Sequence, residues 1–505
     1  MHPSFYLPIM TVEVELKLAI ARGDALRLRR HPLLKALKPS RRKLYGIYFD
    51  TPEFDLYRQH GAFRLRREGY HWVQTLKLDS AASTALSVRP EWEVQVTGNQ
   101  PDISVLPEVA QKHLTPDLFS RLQPTFVTDF QRTIWLLERP EGVVEIALDS
   151  GHIRAGENSL PVSELELELK SGDSRLLIDI ALELLDAAPM LPEYRSKALR
   201  GYQLAGVWQQ KPCKQIAVEM ADHPPAAEAW RRMLLAGLTQ LSRNLPGFLH
   251  ENDPEYLHQM RVGIRRMRTV LSLGRRIGLA RDDWTSELRW FMGELSPARD
   301  WDVMVTETLA AVQAELPGID RLDVLIAAAE RRRAAAQDRA RTATTEPRLT
   351  RLLLSMTQGL ITEMTKGPKL KDWAGASLNH RLRQFGKLAV NFDQMDSAGR
   401  HQLRIAAKHL RYAGEAYAPL HGEKATRYLA LVTRLQNGLG VANDVAVAHG
   451  LLAEVMDKDR KLAHAAGLVE GFIVATSIGR VQRMGKLAAE ILAARPFWQR
   501  GKTNM

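Results

Sequence analysis

The chain has 505 residues, 45% of them hydrophobic and 25% charged, with a formal net charge of +12. That length predicts two or three domains, each able to bury a core, and that charge favours an anionic partner: nucleic acid, a phosphate-rich small molecule or an inorganic polyanion. A single cysteine, Cys213, excludes an internal disulfide framework and a cysteine-clustered zinc site. No apolar run reaches the ~18 residues of a spanning helix, and no basic-then-apolar segment opens the sequence. A cytoplasmic protein without a membrane partner is therefore expected.

Residues 11–170 predict strands, by repeated alternation with period two; the opening nine residues are expected to be unstructured. From Thr11 to Leu18, Glu13, Glu15 and Lys17 alternate with Val12, Val14, Leu16 and Leu18. Two carboxylates and an ammonium thus share one strand face, opposite an apolar one. Gly46 to Asp50 predicts a strand that stops at Thr51-Pro52. Arg64 and Arg66 then share a face, and Lys77 adds a cation to the next strand. Arg89, Glu91 and Glu93 share another face, Glu145 and Asp149 add carboxylates at even spacing, and Glu164, Glu166 and Glu168 alternate with leucines. Amphipathic helix is predicted from Pro101 to Gln123 and from Asp173 to Ala188.

Such alternation usually marks a half-solvated antiparallel sheet, polar side out. Here the polar faces are nearly all ionic, and cationic strands are segregated from anionic ones along the sequence. Like charges side by side on one face repel, which a purely structural sheet avoids. A closed barrel with the charged faces inward resolves this, offering a cationic wall and an anionic wall. Arginine and lysine suit phosphate oxygens, and clustered carboxylates suit a hard divalent cation.

The motif Glu13-x-Glu15-x-Lys17, followed in order by these charged strands, resembles the CYTH superfamily over residues 11–204. Its members are triphosphate tunnel metalloenzymes, including inorganic triphosphatases, thiamine triphosphatases and class IV adenylate cyclases. The resemblance implies an α+β domain at 10–204 with an eight-stranded antiparallel β-barrel tunnel and flanking helices. It implies Mg²⁺, with Mn²⁺ as the alternative, held by Glu13, Glu15, Asp149 and members of the Glu164, Glu166 and Glu168 row. Glu91 and Glu93 are further candidates, of which one need face inward. A phosphate path is implied along Lys17, Arg64, Arg66, Lys77, Arg132 and Lys197, the last within Arg195-Ser-Lys197-Ala-Leu-Arg200-Gly. Glu13, Glu15 and Lys17 become the catalytic candidates, Lys17 orienting a water or the terminal phosphate. Tyr45, Tyr48, Arg67 and Glu145 are read as core or surface. The histidines of this half fall outside the ionic faces, so metal-activated water is preferred to a covalent nucleophile.

Past Gly201 the alternation stops. Residues 205–226 read as a linker, and from Ala227 onward the chain is almost wholly helical. His258-Gln-Met-Arg261-Val-Gly-Ile-Arg265-Arg266-Met-Arg268 recurs as His401-Gln-Leu-Arg404-Ile-Ala-Ala-Lys408-His409-Leu-Arg411. Leu295-x-x-Ala-Arg299-Asp300 recurs as Leu439-x-x-Ala-Asn443-Asp444. Two repeated all-α bundles are expected, about 227–365 and 370–500. On a helix His258, Arg261, Arg265 and Arg268 form one stripe, as do His401, Arg404, Lys408 and Arg411. A basic stripe is often only a solvated face; its duplication without an interrupting acid favours anion binding. These motifs resemble the CHAD family over residues 227–500, whose members bind polyphosphate. The resemblance carries binding roles onto those eight residues, with Asp300 and Asp444 orienting arginines or capping helices. Interleaved aromatics for base stacking are missing, which disfavours nucleic acid. The expected whole is a metal-dependent inorganic triphosphatase with a polyphosphate-binding domain. The alternatives are thiamine triphosphatase or adenylate cyclase activity on the same fold, or a non-catalytic polyphosphate-binding protein.

Overall fold

The computed structural model describes residues 11–78, 86–214, 216, 218, 220, 224–365, 367–418, 421–457, 459–481 and 484–499. The opening nine residues and His223 of the expected linker lie outside them. Two compact units emerge: Met1–Pro212 with Thr345–Ile361, and Cys213–Thr344 with Thr362–Met505.

In the first unit, nine strands form one antiparallel sheet: β1 (Thr11–Ile20), β2 (Ser40–Asp50), β3 (Gly61–Glu68), β4 (His71–Leu78), β5 (Leu86–Val96), β6 (Gln123–Arg139), β7 (Gly142–Ala155), β8 (Asn158–Gly172) and β9 (Met190–Pro192). Their order is β5-β4-β3-β2-β6-β7-β8-β1-β9, with a further pairing of β1 to β5. Residues 11–16 of β1 pair with β5, residues 15–19 with β8, and residues 18–20 with β9. The short β9 was not anticipated among the eight strands expected. Two-residue turns between β3 and β4 and between β7 and β8 set the register; each opens on a glycine at positive φ, Gly69 at 63° and Gly156 at 55°.

The leucine faces of these strands build the cores. Leu16 and Leu18 of β1, Ile146 and Leu148 of β7, and Leu165 and Leu167 of β8 pack on Leu177, Ile178 and Leu184 of helix α1 (Arg175–Leu184). Further round the sheet, Phe63, Leu65, Leu76 and Trp92 pack on Ala110 and Leu118. Those last two come from separate short turns, Glu108–Gln111 and Pro116–Ser120, where one longer helix was expected. Pro107 and Pro116 are the reason: neither donates a backbone bond, and Thr115 caps a new start by accepting from Leu118 N.

Helix α2 (Lys197–Leu204) starts at the cap Ser196, whose hydroxyl accepts from Leu199 N at 3.0 Å. It lies on the sheet face opposite the leucines. A Cβ at Gly201 would stand 2.1 Å from the Phe126 ring, so only glycine permits this approach. Ala198 and Tyr202 join Tyr48, Phe126, Ile153 and Val162 in an apolar cluster at that end.

The longer helices beyond α2 are α3 (Ala226–His250), α4 (Pro254–Gly274), α5 (Asp282–Val303), α6 (Leu322–Thr345), α7 (Pro347–Leu360), α8 (Leu370–Ala389), α9 (Ser397–Tyr417), α10 (Glu423–Gly438), α11 (Val441–Met456), α12 (Ala463–Val481) and α13 (Met484–Ala493). All but α7 build the second unit. Helix α7 lies in sequence within the first expected repeat, yet it packs in the first unit, with Leu354 in the same core as Leu16 and Leu18. Both motif helices begin alike: Asp253 caps α4 and Asp396 caps α9 through side-chain oxygens. The downstream motifs differ. Leu295 to Asp300 lies inside the unbroken α5, whereas Leu439 lies in the break between α10 and α11. Among the described residues, no helix is long and apolar enough to cross a membrane.

Candidate functional site

Strand register decides which side chains share a face. Lys17 stands opposite Glu166 and Glu15 opposite Glu168. Glu164 is opposite Asp149 and Glu168 opposite Glu145; Asp149 is opposite Arg132. On the other flank Arg64 is opposite Tyr48 and Thr75, while Thr75 and Lys77 are opposite Glu93 and Glu91. Glu13 is opposite Arg89, whose side chain falls outside the described residues. Opposed residues point to one side of a sheet, and residues two apart repeat it. Glu13, Glu15, Lys17, Arg64, Arg66, Lys77, Glu91, Glu93, Arg132, Asp149, Glu164, Glu166 and Glu168 therefore share one face, and α2 sets Lys197 onto it.

Within that face the structure gathers a buried knot. Arg132 grips Asp149 with two parallel bonds, Nε to Oδ1 at 2.8 Å and Nη2 to Oδ2 at 2.7 Å, and also touches Glu166. Lys197 Nζ lies 2.7 Å from Asp149 Oδ2 and 2.9 Å from Glu166 Oε1, and contacts Glu164. Arg200, one turn along α2, takes the other oxygen of Glu164. Burial alone would raise Glu166, but Lys197, Arg132 and Lys17 hold it well below the ordinary carboxylate range. Asp149, Glu164 and Glu166 each offer an oxygen within 4.8 Å of the other two. Three hard oxygen donors at that spacing fit Mg²⁺ or Mn²⁺.

The other carboxylates expected to bind metal lie outside this knot. Lys77 Nζ bridges Glu13 at 2.9 Å and Glu91 at 2.8 Å. Arg66 reaches Glu93 at 3.0 Å and contacts Glu68. Arg64 lies 3.9 Å from Glu91 and 3.8 Å from Glu93. Glu15 contacts Lys17, and Glu168 meets Lys170 at 2.7 Å. Burial, with Glu13 alongside, raises Glu91 despite Lys77 and Arg64. The expected cationic and anionic walls are thus not separate. Sheet order sets cationic β3 and β4 beside acidic β5, and sets Arg132 and α2 against acidic β7 and β8. A buried row of like charge costs several kcal/mol per ion unless it is paired, and the topology supplies the pairs.

Sequence reasoning missed two residues here, Arg200 and Glu193. Arg200 follows Lys197 by three positions, a spacing that puts both cations on one helix face. Glu193 is buried and bound twice by Arg195 side-chain nitrogens, at 3.0 and 2.9 Å, which overcomes its burial and lowers its carboxyl to about 2. Tyr48, read as core or surface, is buried in the apolar cluster with Phe126 and Tyr202, and its strand position also sets it opposite Arg64. Burial pushes its phenol up, but Arg64, Lys77 and Lys197 bring it below its usual value.

The second unit carries its own charged site. Helices α4 and α9 pack together, and their stripes meet over one buried ring, Tyr412. Arg265 of α4 lies 5.9 Å from that ring's centre, while Lys408 and Arg411 of α9 lie 6.0 and 4.6 Å away. Lys408 is lowered to about 8, first by burial and then by Arg265, Arg404, Arg268 and Arg261. Arg261 donates to Ser296 Oγ at 2.6 Å; burial, with Arg265 and Arg299 beside it, lowers it to about 10 although Asp300 opposes. Burial, then Arg299, lowers His258. His401 is exposed near the start of α9. The side chains of Asn443 and Asp444 fall outside the described residues. Tyr412 corrects the expectation that no aromatic interleaves the stripes, but the ring is buried and flanked by cations, so it offers no open face for a base.

The model of the CYTH domain matches residues 11–202, and that of the CHAD domain matches residues 232–453. The chain belongs to the CHAD family and carries a CYTH domain ahead of its CHAD domain. It is 36% identical over 199 residues to the inorganic triphosphatase of Haemophilus influenzae, covering 39% of this chain and 56% of that protein. It therefore spans little more than half the length of that relative. The crystal structure of the CHAD domain from the plant Ricinus communis is 30% identical, with a TM-score of 0.51, and the match covers 57% of this chain and 98% of that one. The Hippeastrum protein HpAC1, described with a dominant triphosphatase activity, is 18% identical with a TM-score of 0.30, over 38% of this chain and 95% of that one.

Proposed function

We propose that this chain hydrolyses inorganic triphosphate to pyrophosphate and phosphate on the charged face of its first unit, with a divalent metal, and binds polyphosphate on its second. The observation that carries the reading is the register, which puts every charged residue of the strand motifs on one face. The pairing of β1 with β5 supports a closed tunnel around that face, since it joins the two ends of the eight-strand series. The name of the Haemophilus influenzae relative supports the substrate. For the helical unit, α3-α4-α5 and α8-α9-α10 support a repeated bundle, each with an Asp-capped motif helix in second place.

Asp149, Glu164 and Glu166 would hold the cation, which when bound neutralises phosphate charge and lowers the pKa of a coordinated water. Lys197 contacts all three carboxylates, so its ammonium stands where it would meet a phosphate oxygen beside them. Arg64, Arg66 and Lys77 bind phosphate oxygens, arginine by its planar fork and lysine as a point charge. Lys17, between Glu15 and Glu166, orients the terminal phosphate or the attacking water. Glu13 and Glu15 hold Lys77 and Lys17 in place and add carboxylate oxygens to the face.

Purified protein with Mg²⁺ should release phosphate and pyrophosphate from tripolyphosphate. EDTA should stop this and added Mg²⁺ restore it. Glu13→Ala or Glu15→Ala should lower turnover by about 10²-fold or more, the scale on which a charge-stabilising group acts, in protein that is still folded at the assay temperature. Glu15→Ala should also lower the melting temperature, since it leaves buried Lys17 without that partner. Full activity in both variants would sink the reading. Product analysis with thiamine triphosphate and ATP alongside tests the two alternative activities, and polyphosphate binding without any turnover would point to a non-catalytic receptor.

A further inference from the structure

The charged face uses only one side of the strands. Arg67 lies between Arg66 and Glu68, which point to that face, so its side chain leaves on the other. On that outer side the register builds a row across five strands. Trp72 of β4 is opposite Arg67 of β3, Arg67 is opposite Tyr45 of β2, Tyr45 is opposite Asp129 of β6, and Asp129 is opposite His152 of β7. Lys43 and Arg41 extend the same side along β2 at even spacing. The row's one carboxylate, Asp129, is taken by Lys43. Among the described residues, Arg41 and Arg67 have no carboxylate in ion-pair reach. Beside His152, Arg22 Nη2 lies 3.2 Å from its Nε2 and donates to Gly151 O at 3.0 Å. Arg41, Lys43 and Arg67 are exposed, Tyr45 and Trp72 are half-buried, and Tyr70, in the turn before Trp72, is fully exposed. Neighbouring strands are about 4.8 Å apart, so the Tyr45 and Trp72 side chains leave the sheet roughly 10 Å apart with Arg67 between them. Cations without carboxylate partners thus alternate with open rings, which the stripes of α4 and α9 do not offer.

We propose that this outer face of the first unit binds single-stranded nucleic acid, with bases stacking on Tyr45, Tyr70 and Trp72 while Arg41 and Arg67 hold the phosphates. The site is separate from hydrolysis, which uses the opposite side of the same strands. A polyphosphate or an acidic peptide would match the charge but leave the rings without a partner. Every base has a π face, so such a platform takes single strands with little regard to sequence. A duplex keeps its bases paired and stacked on one another, out of reach of the rings.

A labelled oligoadenylate RNA of about 12 nucleotides, within the site size of such platforms, is titrated onto the full-length protein at two salt concentrations. Its 5′ end is a free hydroxyl, so it brings no terminal phosphate to the charged face. Every chain tested carries Arg265→Ala/Lys408→Ala, which weakens the basic cluster of the helical unit as a competing site. The Tyr45→Ala/Tyr70→Ala/Trp72→Ala variant should bind about tenfold more weakly, with its salt dependence unchanged because the charges remain. The Tyr45→Phe/Tyr70→Phe/Trp72→Phe variant should keep most of the affinity, which separates lost rings from lost fold. Arg41→Ala/Arg67→Ala should weaken binding and make its salt dependence shallower, since fewer phosphates are neutralised. No binding by the parent chain, parent-like affinity in the ring-to-Ala variant, or an equal loss in the Phe variant overturns the proposal. Stronger displacement of the label by polyglutamate or by duplex RNA than by unlabelled oligoadenylate overturns the ligand class.

Discussion

Lys408 shows how one residue reports on a site. Its ammonium is half buried in α9 and faces Arg261, Arg265 and Arg268 from α4, with Arg404 on its own helix and the Tyr412 ring beside it. Its folded value of about 8 lies below the ordinary 10.5. A bound polyanion favours the charged form and so raises that value. Affinity should hold below pH 8 and fall as pH rises above it, where the free protein loses a proton that the complex keeps. Titration calorimetry across that range checks this, and Lys408→Arg should flatten the profile because arginine stays charged. Glu193 behaves in the opposite sense. With its folded value near 2 against an ordinary 4.5, it stabilises the first unit above pH 4.5, and that contribution disappears as pH falls towards 2. That contribution is on the order of 3 kcal/mol. Glu193→Gln should therefore lower the melting temperature at pH 7 and narrow the gap to the native protein in acid.

At the scale of elements, two helices matter beyond their length. Helix α2 brings Lys197 and Arg200 onto the acidic knot only because Gly201 lets it approach Phe126. Gly201→Ala should cost about 1–3 kcal/mol through overpacking and should impair triphosphate turnover by shifting Lys197; thermal melts and single-turnover assays read the two effects. Helix α7 completes the first unit from a distant part of the chain. Thr350 donates to Met190 O at 2.5 Å, Gln358 to Asp179 Oδ1 at 2.6 Å, and Leu354 is fully buried. A fragment ending at Pro212 should melt below the same unit supplied with a 345–361 peptide. Leu354→Ala should cost about 2–5 kcal/mol, the usual range for such a cavity. The core it enters lies behind β1 and β8, the strands that carry Glu13, Glu15 and Glu164 to Glu168.

At the scale of the molecule, each unit has its own core and its own charged surface. Glu15→Ala should abolish hydrolysis and leave long-chain polyphosphate affinity unchanged, while Arg265→Ala/Lys408→Ala should do the reverse. Parallel turnover and binding assays on both variants decide this. The excess of positive charge belongs functionally to the helical unit, since the cations of the first unit are largely taken up by its carboxylates. Added salt should accordingly weaken polyphosphate binding far more than it weakens the buried knot around Asp149.

Much of this was legible in the residues themselves. Period-two alternation marks Glu13, Glu15, Lys17, Arg64, Arg66 and Lys77 as sharing strand faces, and helical spacing lines up Arg261 with Arg265 and Arg404 with Lys408, because both patterns are local geometry. The matching of those faces across strands is not local. Strand order, not sequence order, sets β5 beside β4 and β1, turning expected walls of single sign into paired charges. Arg200 and Tyr412 entered their sites through helix packing, and α7 joined a core more than a hundred residues upstream. Chemistry was written in residue type and spacing; charge compensation was decided by topology, since only the fold determines which ions lose water together and must neutralise one another.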